Sequence, residues 1–132
     1  MQVKPARLFN VGLKGVELYS LNTELNKLIH LKTKNPQLKY DVNIKLGKAV
    51  QKAIADFQET HKKAVEAVGI EEGETVTPEK NDEILALINA ALNDPIEFNC
   101  YPIKYSRLAG EDISELNLLA LEDFIEFDIS EN

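Results

Sequence analysis

Phe9, Val11 and Leu13 alternate with Asn10 and Gly12, which is the period of a short half-buried strand. The pattern then changes. Leu18, Leu21, Leu25, Leu28 and Ile29 follow three-and-four spacing and predict a first helix from about Val16 to Lys34, stopped by Asn35-Pro36. The strongest periodicity follows, with Val50, Ala53, Ile54, Phe57, His61, Ala64, Val65 and Val68 forming one stripe at helical spacing. It predicts a long helix from about Val42 to Val68, with Asp41 or Asn43 as N-cap, Gly69 as a left-handed stop and Ile70 as its hydrophobic partner.

Residues 70–76 are acidic and contain Gly73, the pattern of an exposed loop. Thr77-Pro78 opens a third helix, which carries Ile84, Leu85, Ile88, Ala91 and Leu92 and ends at Asn93-Asp94-Pro95. Ile96, Phe98 and Cys100 alternate, and Ile103 and Tyr105 resume after Pro102, so this strand carries an interruption. Beyond the turn at Gly110, Asp112 and Glu115 stand three apart like a capping box and predict a fourth helix to about Phe127. The expected fold is α+β and mainly helical: four helices with a long central helix and a small two-stranded β element. One domain covers residues 1–132, with residues 1–15 as an N-terminal strand or arm and 128–132 as a frayed tail. A lone strand pair is marginal, so it must pack on the helices or pair across a subunit interface.

Composition adds little until it is read along the chain. The 132 residues are 44% hydrophobic, ordinary for one globular domain, and no apolar run approaches a membrane span or the core of a secretory signal. The single cysteine, Cys100, excludes an intrachain disulfide framework and suits a reducing, cytoplasmic setting. The net charge of −7 conceals a split. Residues 1–68 hold 12 Lys and Arg against 6 Asp and Glu, whereas residues 69–132 hold 3 against 16.

Catalytic patterns are sparse. No glycine loop stands where it could cradle a phosphate, no His-Glu-x-x-His run or cysteine pair supplies zinc ligands, and Glu71, Glu72 and Glu74 lack calcium-loop spacing. His61 lies on the apolar stripe between Phe57 and Val65 and reads as a histidine at the core margin. His30 reads as a cation near the end of the first helix, and Cys100 as a small packed hydrophobe. No catalytic residue, metal or cofactor is expected.

The charges give sharper candidates. Lys39, Lys45, Lys48 and Lys52 cluster about the expected start of the long helix, where cations oppose the dipole, so an anion should face them. That anion would be the protein's own acidic half, the acidic half of another subunit, or a phosphate-bearing ligand. Nucleic acid is disfavoured, since the acidic half would repel it and Tyr40 is the only aromatic platform near these lysines. Conversely, Glu111, Asp112, Glu115, Glu122, Asp123 and Glu126 would form an acidic face able to meet a basic partner.

Three segments carry a resemblance: Leu38-Lys39-Tyr40-Asp41-Val42-Asn43-Ile44, the run Ala49 to Gly69, and Ile96 to Tyr105 before the last expected helix. In their order the chain resembles a group of small uncharacterised tailed-phage (prophage) proteins, over about three-quarters of its length. Met1 to Gly15 has no counterpart there. The resemblance implies a phage setting, in the host cytoplasm or the virion, and brings no catalytic residues. The expectation is a non-catalytic, homo-oligomeric protein–protein interaction module, an accessory or assembly protein. The alternative is an inhibitor that binds a host protein or sequesters an anionic nucleotide signal. A small enzyme built on His61 stands third.

Overall fold

Thr23–Ile29 forms the first helix, α1, in a computed structural model that describes residues 1–9, 21–70 and 75–128. The Asn22 side chain caps it by accepting from the Glu24 and Leu25 amides at 3.0 and 3.3 Å. The helix is shorter than its periodicity predicts; the expected start at Val16 lies outside the described residues. It ends at Ile29, not Lys34, because the chain must turn Leu31 into the core beside Leu28 and Ile29.

Asn35-Pro36 does not merely separate helices. It begins the long helix α2, composed of Pro36–Lys39, a π-helical stretch Tyr40–Leu46, and Gly47–Val68. The Asn35 side chain accepts from the Gln37 and Leu38 amides at 3.0 and 3.1 Å, and proline sits where no donor is missed. The expected caps Asp41 and Asn43 are therefore interior residues. The π stretch has a packing reason. Leu38, Val42, Leu46 and Val50, all buried, recur in steps of four, which would drift about 40° per step around an α-helix of 3.6 residues per turn. The wider i→i+5 turn holds them on one side. Asn43 in that stretch donates 2.7 Å to the Ile29 carbonyl, satisfying an open acceptor at the end of α1.

The C-terminus of α2 matches its prediction: Gly69 has φ 82, and the Gly69 and Ile70 amides return to the Glu66 and Val65 carbonyls. Helix α3, Pro78–Asn93, starts as expected, with the Thr77 side chain accepting from the Lys80 amide. It packs along α2 and buries Ile84, Ile88 and Leu92.

Among the described residues the β strands are two pairs of two residues each. β1 (Gln2–Val3) pairs antiparallel with β2 (Ile96–Glu97), and β3 (Ile103–Lys104) pairs parallel with β4 (Ile125–Glu126). The interruption at Pro102 thus divides one expected strand between two sheets. At the N-terminus the strand lies at residues 2–3, and Pro5–Leu8 forms a 3₁₀ turn. Phe9 bridges to Leu21 and stacks on Phe57 at 5.3 Å between centroids. The rest of the expected strand, to Leu13, lies outside the described residues.

The expected fourth helix is absent. Its place is taken by turns, the 3₁₀ turn Leu118–Leu121 and β4. Asp112 accepts from the Ser114 hydroxyl at 2.9 Å instead of capping, and Ile125 is drawn into strand pairing with Ile103. The α+β, mainly helical character stands, with three helices of more than one turn among the described residues. No helix among the described residues is long and apolar enough to cross a membrane.

Two glycines make opposite predictions. Gly47 is helical, and a Cβ there would meet Ile29 and the Val42 carbonyl at an ordinary 3.9 Å. Gly47→Ala should therefore raise stability by about 0.5–1 kcal/mol. Gly69→Ala, at positive φ, should lower it by about 1 kcal/mol. Urea midpoints of the two variants check both signs.

Candidate functional site

Lys39, Lys45, Lys48 and Lys52 are all exposed on α2. Because the helix begins at Pro36, only Lys39 lies near its start; Lys45, Lys48 and Lys52 are interior, and the dipole argument for them falls away. None of the four pairs with an acid among the described residues, so the expected self-pairing is not made there. What surrounds them is more informative. Tyr40 and Ile44, one turn apart, are exposed, and the Lys45 ammonium lies 5.5 Å from the Tyr40 ring centroid. Tyr101, 88% exposed, lines a small cavity of about 110 Å³ together with Lys45. Tyr40 and Ile44 on the helix and Tyr101 across the cavity are therefore exposed around Lys45.

Beneath this ridge Arg107 donates to Asp41 at 2.8 Å. Burial alone would raise the Asp41 carboxyl, but hydrogen bonds from Arg107 and Gln37, with the charges of Arg107 and Lys45, outweigh it and hold the group below the usual carboxylate range. The pair ties the π stretch to the 3₁₀ turn at Tyr105–Leu108. A depressed folded pKa contributes stability above the unfolded value of 3.8, lost as pH falls through the lower folded value. Asp41→Asn should lower stability at neutral pH by up to about 1 kcal/mol and flatten the loss below about pH 4, as read by denaturation across pH. Cys100 borders the same cavity; burial pushes its thiol up, against the charges of Met1 and Lys45.

The expected acidic face does not form one surface. Arg7 binds Glu122 and Asp123, Thr33 donates to Glu111 at 2.7 Å, and Asp112 accepts from Ser114. Glu115 and Asp112 line a groove with Lys27, His30 and Lys32, while Glu126 sits opposite Lys104 across β3 and β4. With no helix to align them, Glu111, Glu122 and Asp123 bond to their own chain, while Asp112, Glu115 and Glu126 stay exposed on other segments. On α3, Glu79, Asp82 and Glu83 make no ion pair among the described residues and are exposed near Ala86 and the half-exposed Leu87.

Lys52 belongs elsewhere. It lines a cleft of about 340 Å³ between α2 and the segment after α3, where Asp56, Asp94 and Glu97 are its neighbours. It therefore has no share in a basic pocket. His61 is buried in α2, and the His30 Nδ1 lies 2.8 Å from the Asn26 carbonyl. Among the described residues no group of three His, Cys, Asp or Glu is placed to hold a metal ion.

No protein-family model, curated protein or solved structure matches the chain. The geometry alone must carry the functional reading.

Sequence reasoning missed Ile44 and Tyr101. The alternation of Ile96, Phe98 and Cys100 toward the core carried the signal for Tyr101, since the next residue must point outward.

Proposed function

We propose that this protein is a non-catalytic interaction module that assembles with copies of itself, a role in keeping with the phage accessory or assembly setting its sequence resembles. One observation carries the reading. Tyr40 and Ile44 are exposed one turn apart on α2, and Tyr101 is exposed at the cavity that Lys45 lines; we take them as one ridge with Lys45 and Lys48, which make no ion pair among the described residues. Exposed aromatics flanked by unpaired charge are the composition of an interface core and its rim.

The chain also holds the complement. Glu79, Glu83 and Leu87 lie in steps of four on α3, and Leu87 with Ala86 and Glu83 lines a shallow depression against Ala67 and Val68. This face adjoins the last turn of α2, whereas the tyrosine ridge lies near its first turns, about 36 Å away along the helix. One copy therefore cannot satisfy its own ridge. Two copies meet ridge to acidic face, either twice across a two-fold axis or repeatedly head to tail.

The sequestration reading gains no support. The cavity beside Lys45 is far below nucleotide size and its Arg107 is already bound to Asp41, while the larger cleft around Lys52 is rimmed by acids. Sedimentation at low and high salt tests the proposal. The expected result is an oligomer that dissociates as salt screens the charges. A monomer at micromolar concentration under both conditions would sink it.

A further inference from the structure

The cleft that contains Lys52 is distinct from the tyrosine ridge, and its chemistry points to a different partner. Its volume of about 340 Å³ is in the range of small-molecule sites. Its floor is apolar and partly aromatic: Ala53, Phe57 and Phe98 are buried, and Ile96 lies at the edge. Its rim is polar. Asp56 faces it from α2, Asp94 from the end of α3 and Glu97 from β2.

The sign of the rim follows from counting what opposes it. Lys52 offsets one carboxylate, and Glu97 shares its charge with the Met1 nitrogen 3.2 Å away. Asp94 remains, and its position is electrostatically wrong for stability. It is the C-cap of a 16-residue helix that has no basic residue in its last turn, so a carboxylate stands at the negative end of the dipole. The α3 end and Asp94 thus leave the mouth of an apolar cleft, which Asp56 also lines, with a net negative field.

We propose that this cleft binds a small organic cation, an ammonium or guanidinium group carried on an aromatic or aliphatic body. The body lies on Phe57 and Phe98, and the charged head faces Asp94 and Asp56. Anionic and neutral compounds of the same shape lack the compensation that the rim offers.

The test is an NMR titration of the full chain with 2-phenylethylamine, protonated at neutral pH, against 3-phenylpropionate as the anionic match. Amide shifts should move saturably at Ala53, Phe57, Phe98 and Asn99 with the amine and not with the acid. Asp94→Asn, nearly isosteric at an exposed cap position, should weaken the amine by about two- to fivefold. Absence of saturable shifts at these residues, equal response to both probes, or an unchanged affinity in the Asp94→Asn protein would each overturn the proposal.

Discussion

Phe124→Ala should remove about 3–5 kcal/mol of folding stability, a large part of the roughly 5–15 kcal/mol that a domain of this kind has in total. Phe124 is fully buried although it lies in a segment with little regular structure. Its amide donates to the Leu121 carbonyl at 2.8 Å, and its own carbonyl accepts from Ile103 at 2.9 Å, so its ring and backbone both fix β4 against β3. Truncating the ring leaves a cavity that this doubly anchored backbone cannot collapse to fill. Leu119→Ala, five residues earlier at 78% exposure, should change stability by less than about 0.5 kcal/mol. Urea denaturation of the two variants reads the contrast directly. Comparable losses would mean that Leu119 is as buried as Phe124 and that this segment packs in another way.

That segment marks where sequence reasoning runs out. In the second half of α2 and in α3, core contacts repeat with the period of the element itself, so spacing, the Thr77 cap and the Gly69 stop were all readable. Around Asn35-Pro36 the dipeptide was readable as a boundary, but its direction depended on whether the preceding helix had already ended. The π stretch is visible only in hindsight, in the four-residue steps from Leu38 to Val50. From Gly110 onward the apolar residues face partners remote in sequence. Ile125 pairs with Ile103, and Asn117 donates its amide to Glu24 at 2.6 Å. No local period encodes such contacts. The site divides the same way: the four lysines were legible as charge, but their grouping was not. Lys45 stands with tyrosines, whereas Lys52 lines a cleft with Asp56 of its own helix and with Asp94 and Glu97 from beyond α3.

If the ridge of one copy meets the α3 face of another, charge reversal on either side should disrupt assembly and reversal on both should restore it. Lys45→Glu with Lys48→Glu would place like charges against Glu79 and Glu83, weakening association by about 30-fold or roughly 2 kcal/mol. Glu79→Lys with Glu83→Lys should do the same from the opposite side. The first of these also loses a favourable charge in the opening turn of α3, at about 0.3–1 kcal/mol of monomer stability, so circular dichroism must accompany sedimentation. Mixing the two variants pairs the lysines of one with the glutamates of the other. The contact can then form only between unlike molecules, and because the basic ridge and acidic face left over are again complementary, the mixture should reassemble with the two variants alternating while each alone stays dissociated. Tyr101→Ala tests the apolar share of the same contact. Its side chain is almost entirely in water in the isolated chain, so truncation should leave the fold intact while weakening association by about 30-fold, as expected of a central aromatic anchor. An oligomer that tolerates Tyr101→Ala and both charge reversals would have to assemble through some other surface.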